Sequence, residues 1–268
     1  MTFSIIVVCL NPGEGLKATV DSVLAQTYDR YEIIIKDGGS TDGSVDGFID
    51  HPDLRIKYHS GKDSGIYDAM NRAVKFASGD YIIFLNAGDT FYDPKVLENV
   101  NNAGLPVKNT IAYGDTLFKL YNAVSKAPAE ITPAVCYRNI PCHQAIFYSR
   151  DTLSERGFDT KYRIRGDYEH FLNAFFEKKR DFKYLGFPVC AYEGGGFSEK
   201  KSNMKRDREE RNEVIGLYFS PAERLKNDLV LVLTLHKLRG ALARNEKTAG
   251  VYQKIKSTVY GFKRGEKA

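Results

Sequence analysis

Three short strand-length segments with apolar cores, Ser4 to Leu10, Glu32 to Lys36 and Tyr81 to Leu85, each lead into polar or glycine-rich residues and alternate with segments of helical spacing. Runs of that length read as buried strands. Strands that alternate with helices fold into a mainly parallel sheet covered on both faces, because parallel neighbours need a crossover that a helix supplies. Leu16, Val20, Val23 and Leu24 mark the first helix, and a short helix is expected after Gly43. Arg55 to His59 reads as a further strand, and Gly65 to Ala77 as a helix with Ile66, Ala69, Met70, Ala73 and Ala77 on one stripe. Beyond Asp93 the pattern is mixed. Ile111 to Asp115, Ala145 to Tyr148 and Phe182 to Tyr184 read as strands, and Tyr168 to Lys178 as a helix carrying Phe171, Leu172 and Phe175.

With 268 residues, 43% of them hydrophobic, the chain can bury one large core and carry an accessory segment. The expected division is a body over 1–198, split near residue 93 into two halves, and a basic helical extension over 199–268. Charge supports it: Arg224 to Ala268 holds eleven Lys and Arg against three acidic residues, +8 of a total of +5, which leaves the rest mildly acidic. Cys9, Cys136, Cys142 and Cys190 form no CxxC pair, which argues against a disulfide framework or a zinc ribbon. No secretory leader pattern and no run of membrane-spanning length is present, so a cytoplasmic protein is expected.

In open α/β sheets ligands bind beyond the carboxyl ends of the strands. There the sequence places Asp37 ahead of a glycine-rich turn, and Asn86 and Asp89 around Gly88. Two edge carboxylates point to a nucleotide and a metal. Each residue also has a plainer reading: an Asx turn for Asp37 and Asp42, a helix or turn cap for Asp63 and Asp89. A dinucleotide fold would need GxGxxG where the chain reads NPGEGL, and a P-loop would need GxxxxGK[ST], which is absent.

The order SIIVVCLNPGEGLKATVDSVLAQTY, EIIIKDGGSTDGS and DSGIYDAMNRAVKFASGDYIIFLNAGD resembles the nucleotide-binding half of family 2 glycosyltransferases. Further on, SERGFDTKYRIRGDYEHFLNA is similar to the acceptor-side segment of that family, so the resemblance covers residues 3–192. It implies the GT-A fold, with a nucleotide-binding half (1–93) and an acceptor-side half (94–198). It also implies a nucleotide-sugar donor, UDP-linked by expectation, a divalent Mn2+ or Mg2+, and transfer with inversion to a glycan or lipid-linked acceptor in surface polysaccharide assembly.

By the same resemblance Asp37 and Asp63 contact the nucleoside, with Lys62 and Asn71 beside them, and Asn86 meets the ribose or a metal-bound water. The family's acidic metal cluster is reduced here to Asn86, Ala87, Gly88 and Asp89, leaving Asp89 as the metal ligand. His143, next to Gln144, either adds a ligand or is a hydrogen-bonded structural histidine. The family's acidic pair at a helix start reads Gly166 and Asp167, which makes Asp167 the expected general base and Glu169 the fallback. His170, one turn into that helix, reads equally as packing or acceptor contact.

The QxxRW signature of processive synthases is absent, which favours single transfer, and EGGGFS (193–198) reads as a flexible loop over the acceptor. A non-catalytic sugar-nucleotide sensor on the same fold is the alternative, and retention of Asp167 disfavours it. The tail segment DLVLVLTLHKLRGALAR, Asp228 to Arg244, is apolar and then cationic. It reads either as a helix in an anionic membrane interface on the inner face of the cell membrane or as a helix docked on the body. Sparse aromatic residues among its charges disfavour nucleic acid.

Overall fold

The computed structural model describes residues 1–195 and 201–233. The parallel part of the sheet is where the apolar runs put it: β1 (Phe3–Cys9), β2 (Tyr31–Asp37), β3 (Ile56–Ser60) and β4 (Tyr81–Phe84) pair in the order β3-β2-β1-β4. Their crossovers carry α1 (Glu14–Leu24), α2 (Asp46–Ile49) and α3 (Ile66–Val74). Alternate strand residues serve opposite faces, as the two-residue strand period requires. Ile5, Val7, Ile33 and Ile35 pack with Leu16, Val20 and Val23 of α1, whereas Ile6, Val8 and Ile34 pack with Met70 and Ala73 of α3. Full burial of each of these aliphatic side chains contributes roughly 1.5–3 kcal/mol.

Beyond β4 the sheet is mixed, as the second half of the sequence implies. The elements are β5 (Thr90–Phe91), α4 (Val96–Asn102), β6 (Thr110–Phe118), β7 (Ala123–Ser125), α5 (Pro133–Arg138), β8 (Ile146–Ser149), α6 (Arg150–Glu155), α7 (Gly166–Phe176) and β9 (Asp181–Tyr192). The ladder continues β4-β8-β6-β9-β5, with β7 on β6; β6 and β9 pair in parallel, and the other pairs of this part are antiparallel among the described residues. β9 is far longer than the three residues its apolar run marks. Gly186 and Pro188 break the strand pattern, yet the ladder resumes past them through an irregular register near Asp115.

The expected extension does not begin as a separate appendage. α8 (Met204–Tyr218) puts Val214 and Ile215 into the same core as α3 and α7, and Phe219 follows them. α9 (Pro221–Leu233) is held by Tyr137 of α5, whose hydroxyl donates to Asp228 Oδ1 at 2.8 Å, and Leu231 packs on the core. The neighbouring stripe of α9, Leu225, Leu229, Val232 and Leu233, is exposed. Among the described residues no helix is long and apolar enough to cross a membrane. The rest of the expected tail helix (234–244) and residues 196–198 of the EGGGFS loop lie outside the described residues. All four cysteines are free, with Cys136 and Cys190 buried.

Candidate active site

The parallel strands deliver Cys9, Asp37 and Leu85 to one sheet edge, and the polar residues that follow them form two neighbouring groups. The first surrounds Lys36. Its buried ammonium donates to the carbonyls of Asp37 (2.7 Å) and Gly61 (2.5 Å) and lies 3.6 Å from Asp63 Oδ2. Asp37 is 1% exposed and accepts from the Ser40 amide and hydroxyl, the Tyr58 hydroxyl (2.9 Å) and the Ser60 hydroxyl (3.0 Å). Burial alone would raise its pKa, but these donors together hold it below the ordinary carboxylate range. Both Asp37 oxygens are therefore engaged within the chain. Asp63 Oδ1 accepts from the Gly65 amide at 3.1 Å, at the entry to α3. Asp42 keeps the turn role: it accepts from the Ser44 hydroxyl and ties the loop to the Gly13 amide. Lys62 is exposed.

The second group lines a cleft of about 440 Å3 that gathers Asn86, Asp89, His143, Gln144 and Asp167, with Tyr67, Lys126, Arg163 and Arg165 in the same wall. Gly88, at φ +102°, makes the turn that separates Asn86 from Asp89. Asp89 is 3% exposed and accepts from the Glu193 amide at 2.9 Å. Burial pushes its pKa up to about 6, against the pull of that amide, the Lys119 charge and the Gln144 amide. Lys119 also bridges the Gly88 carbonyl (3.0 Å) and the Glu193 carboxylate (2.8 Å), so β6's end clasps this turn. Asn86 Oδ1 is buried and, among the described residues, has no hydrogen-bond partner.

A divalent ion asks for hard oxygen ligands. Asp89 offers a carboxylate that burial leaves short of counter-charge, and Asn86 offers an orphaned oxygen in the same cleft. These residues fit such an ion only as part of a shell. Among the described residues no group of three or more His, Cys, Asp and Glu gathers. His143 has its ring stacked on Phe84, its Nδ1 3.3 Å from the Tyr148 hydroxyl and its Nε2 buried without a partner among the described residues. Burial lowers its pKa, and the carboxylate it feels is Asp167, not Asp89. One ring nitrogen thus has a structural partner and the other has none among the described residues, so both readings of His143 stand.

Asp167 opens α7. Its Oδ1 accepts from the Tyr168 amide and the Tyr67 hydroxyl, each at 2.8 Å, and Oδ2 has no hydrogen-bond partner among the described residues. The fallback base is corrected: Glu169 is 3% exposed, paired with Arg156 at 2.8 Å and bonded by the Tyr218 hydroxyl, away from the cleft wall. His170 is likewise buried packing, with Nε2 3.0 Å from the Arg156 carbonyl and a pKa that burial lowers to about 4.

Asn71 is corrected as well. Its amide nitrogen donates to the Phe158 carbonyl and its oxygen accepts from the Phe158 amide, both at 2.8 Å, so both polar atoms are engaged in holding Phe158. It pins the Gly157 turn, where a Cβ would come within 2.4 Å of the Asn71 oxygen. Residues that pattern reading missed complete the support. Tyr67 lies one helical turn before Asn71 and hides in the apolar stripe of α3. Glu210 of α8 accepts the backbone N–H groups of Arg163, Ile164 and Arg165 at 2.8–3.0 Å, fixing the loop ahead of Asp167. Nothing in the charged stretch around Glu210 marks it as a loop cap; a lone acid at a position later buried is its only sign.

A mixed α/β body with a polar cleft on the carboxyl edge of its parallel strands, holding one buried carboxylate and a second carboxylate with an open oxygen, is the architecture of a nucleotide-sugar transferase. The chain belongs to glycosyl transferase family 2, whose description it matches over residues 4–198. It is 35% identical over 202 residues to the "PGL/p-HBAD biosynthesis glycosyltransferase" of Mycobacterium bovis, covering 73% of this chain and 78% of that protein. The fold is similar to S. aureus TarS 1-349 in complex with UDP-GlcNAc, with a TM-score of 0.60 at 16% identity over 88% of this chain and 72% of that one. Of a longer TarS structure the chain spans 43%. It is also similar to the mannosyltransferase PcManGT from Pyrobaculum calidifontis in complex with GDP-Man and Mn2+, with a TM-score of 0.61 at 16% identity over 94% and 83% of the two chains.

Proposed function

We propose that this protein is an inverting, single-transfer glycosyltransferase that moves a sugar from a UDP-sugar to a lipid-linked or glycan acceptor in surface glycan assembly. The observation that carries the reading is Asp167 in the wall of the cleft that also holds Asn86 and Asp89, with one carboxylate oxygen open. Asp167 takes the proton of the acceptor hydroxyl as that oxygen attacks the anomeric carbon opposite the departing diphosphate. Asp89, with Asn86 beside it, would hold a divalent cation whose other ligands are donor oxygens. When bound, that ion neutralises charge on the leaving diphosphate. Asp63 and the loop shaped by Asp37 accommodate the nucleoside at the neighbouring edge.

The acceptor class rests on α9. Its exposed stripe of Leu225, Leu229, Val232 and Leu233 is followed by a cationic sequence, a pairing suited to an anionic membrane surface. Co-sedimentation with anionic vesicles should fall when Leu225, Leu229 and Leu233 are replaced by Ser, and equal binding of the two proteins at low salt would remove the membrane from the proposal.

Asp167→Asn tests the catalytic reading. Transfer should drop on the order of 10²-fold or more, because general-base catalysis is lost. Affinity for the nucleotide sugar, measured by calorimetry, should stay within about twofold, since the base meets the acceptor and not the donor. Near-normal turnover would take Asp167 out of the mechanism.

A further inference from the structure

We propose that Tyr67 is a positioning residue for Asp167: its hydroxyl holds the carboxylate in place while it is ionised and turns to the Ile164 carbonyl once the carboxylate has taken up a proton. The inference rests on the reading of Asp167 as the base. A phenol has one proton, and two acceptors flank this one, Ile164 O at 2.7 Å and Asp167 Oδ1 at 2.8 Å. With Asp167 charged, the stronger bond is the charge-assisted one. When Asp167 becomes neutral the same proton has a second acceptor at equal distance, so the hydroxyl is never left without a partner in a buried place. The proton received from an acceptor hydroxyl resides on Asp167, and Tyr67 only reorients its own O–H.

The ring cannot drift from this task. Tyr67 is 6% exposed, lies 5.5 Å from the Phe158 ring and fills the space above Gly166, where a Cβ would come within 2.7 Å of a ring carbon. That contact accounts for a glycine directly before the base, where the family's acidic pair would place a second carboxylate: the Tyr67 ring occupies the room a larger side chain needs. One turn further along α3, Asn71 fastens Phe158, so a single helix face holds both ends of the segment from Gly157 to Asp167.

Other charged and titratable groups face Asp167 besides Tyr67. On β8 and ahead of it, Tyr148 and His143 both interact with the Asp167 charge; burial raises the Tyr148 phenol well above its usual range and lowers the pKa of His143. In the preceding loop Arg165 feels the same charge but is committed to Asp207 at 2.7 Å. Burial, followed by the Asp167 charge, raises the Tyr67 phenol well above 10, so it stays a donor throughout the working range.

The test is a titration of the Asp167 carboxyl by carbon-detected NMR, its resonance assigned as the one lost in Asp167→Asn. In Tyr67→Phe the midpoint should rise by about one pH unit, the size expected for losing a hydrogen bond to a charged acceptor. Site-specific 3-fluorotyrosine at position 67, which keeps ring and hydroxyl and donates more strongly, should lower it and guards against a misfolded Phe variant. In turnover of the donor, Tyr67→Phe should lower kcat about tenfold with the donor KM unchanged, and shift the acidic limb of the kcat/KM profile upward with the NMR midpoint. A midpoint that neither variant moves overturns the inference, even if Asp167→Asn is inactive. An active Asp167→Asn overturns the base assignment instead, and the NMR midpoints then report on the Tyr67 contact alone.

Discussion

Asp37 and Asp89 close successive stretches of the same sheet edge, are almost equally hidden at 1% and 3% exposure, and shift in opposite directions. Burial acts on both alike. The difference is in the donors: Asp37 has three hydroxyls and an amide turned toward it, while Asp89 has the Glu193 amide, with Lys119 and Gln144 nearby. A saturated carboxylate is part of the scaffold. An undersupplied one is a place where added positive charge is welcome, which is why Asp89 and not Asp37 is the candidate for a cation.

The comparison breaks most visibly at Asp37. Asp37→Ala orphans the Tyr58 and Ser60 hydroxyls and the Ser40 turn, and should cost roughly 3 kcal/mol or more in urea unfolding, at about 1–3 kcal/mol per unsatisfied buried group. A loss below about 1 kcal/mol would mean the donors find water and the site is looser than its geometry implies.

Asp89 should give a smaller effect of the opposite sign. Its folded pKa of about 6 lies above the unfolded value, so it contributes stability that is complete below about pH 4 and disappears as pH rises through 6. Asp89→Asn should therefore gain on the wild type over that window, by on the order of 2 kcal/mol at pH 7. Thermal melts from pH 4 to 7.5 follow it. Asp37, with its lowered pKa, contributes stability above the ordinary carboxylate range and loses it only as pH falls below that range. Mn2+ with UDP should then raise the melting temperature of the wild type at pH 7 and leave Asp89→Asn nearly unmoved, a shift of a few degrees and the smallest of the three. Equal shifts in both proteins would move the cation away from Asp89.

The parallel half of the fold was legible because its signals are local: β1, β2 and β4 are built around short apolar runs, and their ends point to Asp37, Asn86 and Asp89 without any knowledge of packing. Asp167 was legible as a polar residue at a helix mouth within a family-like segment. The supports were not, because their meaning depends on partners far away in sequence. Asn71 reads as a polar face of α3 until Phe158 is placed 87 positions later on both its amide atoms. Tyr67 reads as packing until Ile164 and Asp167 arrive. The helical character of the segment that holds α8 was legible, but its place in the core was not, because its sequence is charged over most of its length and Val214 and Ile215, with Phe219 just beyond, are what reach the core.

Glu210 has a consequence for the order in which the protein comes into being. Synthesis runs from the amino terminus, and domains generally fold as units. A growing chain acquires the nucleotide edge, Tyr67 and even Asp167 before it has the side chain that accepts the three N–H groups of residues 163–165. Until α8 has emerged, the loop ahead of Asp167 lacks the carboxylate that fixes it, so its final shape waits for the carboxyl-terminal part of the body.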